Sequence, residues 1–398
     1  MTDESTIDLQ SLRQSLRDPS RRIQGRRFNR YDLLSEISRG GMGVVVRARH
    51  QELGSMVALK LLASQDPTPE ATARFRREAK VLAQLKHPNV VGISDLGEDG
   101  GIHFLAMELI EGPDLHSTVK DLRAKGQYLD YRRVAEIALA MARALAYCHE
   151  KGAIHRDVKP QNILIERGTN RPVLTDFGLV KRDHTKMQSG QSAAISQAGK
   201  ILGTPSFMAP EQFEPDGQFG KVGPRSDVWG LGATLFFCLT GQPPYTATNV
   251  VNLYSAVMND PPPRVSDLRE GVPAALDELC AACLTKSVSE RIDTAELVRR
   301  LEALVDDPKL LEGAREGAGL RHAVLVIAAF LGLAVVHLTL IDPAQGKRLW
   351  RAVRGGDGGA AGVEGNAGVE GNAGGEGNAG GEGNAGGEGN AGGEGNAG

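Results

Sequence analysis

Residues 155 to 162 read His-Arg-Asp-Val-Lys-Pro-Gln-Asn, and Asp176-Phe177-Gly178 follows after a short apolar run that can form a strand hairpin. This order constrains the fold, because it sets a candidate proton acceptor, a lysine able to face phosphate and two oxygen ligands for a hard cation within about twenty residues of one another. Those are the groups that phosphoryl transfer requires of a protein. One tripeptide of this kind carries little weight; the ordered set carries far more.

The pattern around it sets the fold class. Between Tyr31 and Leu304, β-branched runs such as Val44-Val45-Val46 and Val57-Ala58-Leu59 come early, and helical stretches such as 134–149 and 229–239 come late. Strands first and helices after them predict an α+β fold with two unequal lobes rather than a doubly wound sheet. A chain of 398 residues, 41% hydrophobic and 24% charged, can bury a sizeable core. Its formal net charge of -3 gives no global pull toward nucleic acid, and no nucleic-acid partner is expected. Cys148, Cys238, Cys280 and Cys283 are too sparse for a disulfide scaffold and fit a reducing compartment. Cys280-Ala-Ala-Cys283 has metal or redox spacing but no second ligand pair, and with Leu276 and Leu284 it reads as one buried helix face.

Upstream, Ile37-Ser38-Arg39-Gly40-Gly41-Met42-Gly43-Val44-Val45 has glycines where a strand-turn-strand can lay backbone N–H groups over phosphates. Alone, such a turn is usually a plain hairpin. Val57-Ala58-Leu59-Lys60 on the next strand adds a lysine placed to meet the same phosphates, and Glu78, in the helical run 74–85, can pair with Lys60 and hold it. Ala209-Pro210-Glu211 completes the ordered set.

On these motifs, from about Tyr31 to Leu304, the chain resembles the protein kinases, specifically the bacterial eukaryote-like (Hanks-type) serine/threonine kinases, whose signature set has this order. The resemblance implies a small N-terminal β-lobe and a large helical lobe with ATP in the cleft between them. It implies a hinge at Met107 to Ile110, with Met107 beside adenine, backbone groups of Glu108 and Leu109 on the base edge, and Asp114 near the ribose. Ile37, Val45, Ala58 and Leu164 would border the nucleotide, and Gly40, Gly43 and Lys60 would meet its phosphates. Lys60 and Glu78 would act as a pair. Asp157 would accept or orient the substrate hydroxyl proton, Lys159 would stabilise the transferring group, and Asn162 with Asp176 would hold Mg2+, or Mn2+ in its place. Asp227 would brace the catalytic loop, and Glu211 and Arg291 would form a buried ion pair. Lys159 and Gly203-Thr204-Pro205-Ser206-Phe207 resemble the serine/threonine class, so the expected partners are proteins carrying Ser and Thr hydroxyls. Arg156 implies a phosphate on the activation segment, with Thr185, Ser189, Ser192 and Ser196 as candidates and Thr204 as a contact for Asp157 and Lys159. Ser38 departs from the first glycine common in the family, which predicts altered loop mobility with ATP binding kept. A pseudokinase scaffold that binds nucleotide and partners without transfer is the competing reading; the intact set Lys60, Glu78, Asp157, Asn162 and Asp176 speaks against it. Another gives the main role to the C-terminal tail, which offers no side-chain chemistry for it.

Residues 1–30 form a polar, basic leader, with Leu9, Leu12 and Leu16 at helical spacing ahead of Arg17, Arg21, Arg22, Arg26, Arg27 and Arg30. A short amphipathic helix docking on the adjacent domain or on anionic lipid is one reading; a disordered leader is the preferred one. The start, Met-Thr-Asp-Glu-Ser, has no apolar segment, so no cleaved secretory signal is expected. After a catalytic domain at 31–304 and a juxtamembrane linker at 305–322, residues 323–341 carry no charge. As a helix rising about 1.5 Å per residue they would match a hydrocarbon core ~30 Å thick. Arg321 and His322 before this stretch, and Lys347, Arg348, Trp350, Arg351 and Arg354 after it, suit the interfaces. Lys309, Arg315 and Arg321 before it are outnumbered by Lys347, Arg348, Arg351 and Arg354 after it. A folded domain overrides so small a bias and must face ATP. The expectation is a single pass through the plasma membrane, the catalytic domain cytoplasmic, with self-association favouring trans-autophosphorylation. The tail at 342–398 ends in Val-Glu-Gly-Asn-Ala-Gly twice and Gly-Glu-Gly-Asn-Ala-Gly four times. Glycine at every third residue permits a collagen-like helix, but the repeats lack proline and carry only negative charge, so a flexible spacer is expected.

Overall fold

Side chains on a strand alternate between faces, so a strand apolar at every position must be covered on both sides. Val44-Val45-Val46 and Val57-Ala58-Leu59 are such runs. The computed structural model, which describes residues 12, 14–16, 23–40, 43–63, 79–177, 205–215 and 217–312, shows what covers them. The chain divides after Ala323, and all of these residues precede that point. Strands β1 (Arg27–Phe28), β2 (Tyr31–Gly40), β3 (Gly43–His50), β4 (Met56–Ala63), β5 (Ile93–Asp99) and β6 (Ile102–Glu108) form one antiparallel sheet in the order β1-β2-β3-β4-β6-β5. Val44, Val46, Leu59, Leu61, Phe104 and Ala106 belong to the cluster on its outer face, with Phe28, Tyr31 and Leu33. Ala58, Leu62, Leu105 and Met107 belong to the inner one, with Val45 packed against them.

Leu12, Leu16 and Ile23 are part of the outer cluster, and Leu12 is fully buried. At these positions the leader is an ordered part of the lobe, contrary to the disordered segment expected. Composition weighs the leader's own polarity; it does not register the apolar face that the neighbouring sheet leaves uncovered.

Beyond β6 the chain becomes helical. Asp114 caps α1 (Leu115–Ala124) and Asp130 caps α2 (Tyr131–Glu150), each by accepting backbone N–H groups of the first turn. The hairpin of β7 (Ile163–Ile165) and β8 (Pro172–Leu174) follows, as the apolar run predicts. Then come α3 (Pro210–Phe213), α4 (Pro224–Thr240), α5 (Val250–Asn259), α6 (Ala274–Cys283) and α7 (Thr294–Asp306). Every residue of α4 from Ser226 to Thr240 is buried, as suits a helix apolar on all sides at the centre of a lobe. Cys280 and Cys283 pack on α6 inside that core, where burial pushes the Cys283 thiol up to about 12. They are packing residues. A Cβ on Gly232 of α4 would lie 2.3 Å from the Cβ of Cys283, so the two helices meet there through a glycine. A short turn at Pro308–Leu311 folds Leu311 onto the same core. The result is the bilobal α+β architecture expected. Among the described residues no helix is long and apolar enough to cross a membrane; 323–341 and the tail lie outside them.

Candidate active site

The loop after α2 has little regular structure of its own, so its shape depends on partners. Asp227, in the first turn of α4, supplies two of them. Its Oδ2 accepts the His155 N–H at 2.8 Å and its Oδ1 accepts the Arg156 N–H at 2.7 Å, while His149 Nε2 lies 2.8 Å from Oδ2. These bonds hold Arg156 at φ 63, a left-handed conformation that costs a side-chain-bearing residue energy unless neighbours enforce it. Gln212 Nε2 donates to the Arg156 carbonyl at 2.9 Å, so the residue is held on both sides. Asp227 thus braces the loop as the resemblance implied.

His155 is fully buried, and burial pushes its pKa below the usual histidine range. Its Nδ1 accepts the Asp157 N–H at 3.2 Å and its Nε2 lies 2.9 Å from the Thr175 carbonyl. Only the neutral ring protonated on Nε2 satisfies both contacts. The ring also packs on Phe177, with centroids 4.5 Å apart. His155 therefore fastens the catalytic loop to the end of β8.

Asp157 Oδ2 accepts Lys159 Nζ at 2.9 Å and Asn162 Nδ2 at 3.1 Å, and the same Asn162 nitrogen donates to the Asp157 carbonyl at 2.8 Å. With its nitrogen turned to Asp157, Asn162 presents its amide oxygen as a cation ligand. The Asn162 backbone carbonyl accepts the Thr175 N–H at 2.8 Å, which fixes it beside Asp176. Asp176 is the next residue, at φ 59, and its Oδ1 lies 2.8 Å from Lys60 Nζ on β4. Glu78, the partner expected for Lys60, lies outside the described residues, as do Gly41, Met42, Gly178, Thr185, Ser189, Ser192, Ser196 and Thr204.

Above this constellation, Val45, Ala58, Met107, Leu109 and Leu164 share one apolar cluster. Ile37 is half exposed at a bulge, where the β2–β3 register shifts between Glu36 and Ser38. Gly40 and Gly43 face each other across the end of that ladder. Gly43 has φ 139, and a Cβ on it would sit 2.1 Å from the Leu61 carbonyl oxygen, so only glycine fits. The Glu108 N–H is given to the Gly92 carbonyl at 2.8 Å, so a base edge would read the Glu108 carbonyl and not its N–H. Both carboxylate oxygens of Asp114 are engaged by Ser117, at 2.7 Å to its N–H and 3.0 Å to its hydroxyl, so a ribose would share them with the helix cap.

Among the described residues no group of three His, Cys, Asp or Glu side chains could hold a metal by itself. Asn162 and Asp176 nonetheless suit magnesium, which takes hard oxygens, binds through one or two protein ligands and completes its shell with water and substrate phosphates.

The Glu211–Arg291 pair is fully buried, with contacts of 2.6 and 2.9 Å, and Ser226 Oγ donates to Glu211 at 2.7 Å. One feature had no signal in any motif. Arg171, ahead of β8, donates to Glu166 at 3.0 Å, to Glu108 at 2.9 Å and to the Pro88 carbonyl, tying the hinge glutamate to the β7–β8 hairpin. The same fork holds the Glu166 carboxyl down at about 2.

The family described as Protein kinase domain matches residues 31–301. Serine/threonine-protein kinase PknD of Mycobacterium tuberculosis is 38% identical over 273 residues, which are 68% of this chain and 39% of that one. PknL of the same species is 34% identical over 286 residues, 71% of this chain and 68% of that one. The chain spans less than half the length of PknD and of PknH from Mycobacterium bovis, which is 37% identical. Among solved structures, the kinase domain of Mycobacterium tuberculosis PknI is 26% identical, with a TM-score of 0.54 over 71% of this chain and 98% of that one.

Proposed function

The chain belongs to the protein kinase family, in its bacterial Hanks-type serine/threonine branch, and on that premise we propose that it transfers the γ-phosphoryl group of ATP to Ser and Thr hydroxyls of proteins, its own activation segment included. One continuous set of contacts carries this reading: Lys159 and Asn162 on the Asp157 carboxylate, the Asn162 carbonyl on Thr175, and Asp176 on Lys60. In transfer, the substrate hydroxyl oxygen bonds to the γ-phosphorus as the bond from that phosphorus to the β–γ bridging oxygen breaks, and the hydroxyl proton passes to Asp157. Asp157 is held in place for this by two donors. Lys159 and Lys60 offset the negative charge of the phosphates, and Asn162 and Asp176 would hold Mg2+ or Mn2+, which when bound supplies further charge neutralisation on the phosphate oxygens. Glu78 acts with Lys60, and Ile37, Val45, Ala58, Met107, Glu108, Leu109, Asp114 and Leu164 border the nucleotide.

The uncharged stretch at 323–341 supports a single membrane pass, with the leader, the 31–304 domain and the 305–322 linker on the cytoplasmic side and the 342–398 repeats as a flexible spacer. The test is the full chain with Mg-ATP and a generic protein acceptor, followed by phosphoamino-acid analysis. Phosphoserine and phosphothreonine should form, and Asp157→Asn should lower the rate by about 10²–10⁴-fold while Mg-ADP binding stays within a few-fold. Nucleotide binding by the wild type without transfer would instead establish the pseudokinase scaffold.

A further inference from the structure

We propose that leader residues 12 and 14–16 position the two strands that flank the Gly-rich turn, with Arg39 as the latch. The functional part of this rests on the reading of that turn as the cover over ATP phosphates. Arg39 immediately precedes Gly40 in β2. Its Nε and Nη2 grip Glu36 at 3.0 and 2.6 Å, and its Nη1 donates to the backbone carbonyls of Ser15 at 2.9 Å and Leu16 at 3.1 Å. The guanidinium therefore joins the strand entering the turn to the leader. Leu12 and Leu16 lie in the same buried cluster as Val44 and Val46, on the strand leaving it. The leader is thus bonded to the entering arm and shares a buried cluster with the leaving one, on the outer face of the sheet.

The two ends of the turn need such support. A Cβ on Gly40 would meet nothing within 4 Å, Gly43 is held at φ 139, and a bulge interrupts the ladder just before it. Ordering a glycine-rich segment on a ligand is entropically costly, and a scaffold that orders it beforehand tightens binding without touching the ligand. Arg39 and the two leucines are accordingly positioning residues, acting through the backbone of the turn.

The test uses the full chain in four forms: wild type, Arg39→Gln, the pair Leu12→Asp with Leu16→Asp, and the conservative pair Leu12→Met with Leu16→Met. Amide hydrogen exchange over residues 36–46 is measured without nucleotide, and Mg-ADP affinity separately. Arg39→Gln and the aspartate pair should speed exchange in that segment about tenfold and weaken Mg-ADP about three- to tenfold, with the methionine pair close to wild type. Arg39→Gln keeps a polar side chain and leaves the leucine cluster intact, so it answers even if the aspartate pair unfolds the lobe. Exchange at the wild-type rate in Arg39→Gln overturns the proposal, as does weaker nucleotide binding without faster exchange at 36–46. Because exchange is measured without nucleotide, it reports on the turn whether or not the protein transfers phosphate.

Discussion

Arg291 shows how much a single residue can depend on its surroundings. Its five N–H groups meet Glu211 twice and the carbonyls of Thr285, Arg225 and Lys286, all between 2.6 and 2.9 Å, and its guanidinium lies over the Trp229 ring. Replacing it with Met leaves the Glu211 carboxylate buried with Ser226 as its close donor among the described residues, and should cost about 3–5 kcal/mol in a urea titration. His155 makes a second prediction at this scale. Burial depresses its pKa in the folded state, so the unfolded chain binds the extra proton as pH falls below the ordinary value of about 6.5. Stability is therefore full above that pH and declines beneath it, and His87 and His116, also pushed down by burial, act in the same direction. His155→Gln should flatten the slope of unfolding free energy between pH 7.5 and 5.5 by up to ~1.4 kcal/mol per pH unit. An unchanged slope would mean that the ring is not held neutral.

The β2–β3 hairpin illustrates what an element requires beyond its pattern. Its three glycines look alike in sequence, yet Gly43→Ala would force a Cβ into the Leu61 carbonyl and hold a left-handed φ, whereas Gly40 has open space around it. Gly43→Ala should lower stability by about 1–3 kcal/mol, and Gly40→Ala should stay within ~0.5 kcal/mol of wild type, both read from unfolding midpoints. The outer face of the same sheet was legible in part. Val44-Val45-Val46 announced that both faces would be covered, but the identity of the outer cover, Leu12 and Leu16, could not be read from a leader judged by its own composition.

For the whole molecule, the two lobes are joined by bonds that no local pattern announces. Lys60 meets Asp176 across 116 positions, and Arg171 ties Glu108 to the hairpin. On the reading that residues 323–341 span a membrane, tethering raises the encounter rate between copies. Autophosphorylation per unit of vesicle area should then rise with the square of surface density, so that at constant total protein the rate per molecule rises in proportion to density. A rate per molecule independent of density would assign the reaction to a single copy.

Residue type and order along the chain were enough for the fold class and for the candidate catalytic set. Asp157, Lys159, Asn162 and Asp176 lie close along the chain, and the order of apolar periods separates a strand lobe from a helical one. Such features are local, so residue type and spacing report them. The tertiary structure alone decided the neutral state of His155, the place of Arg171 and the docking of the leader through Arg39. A buried or charged side chain takes its role from partners that only folding brings within about 3 Å of it, and composition weighs each segment without them.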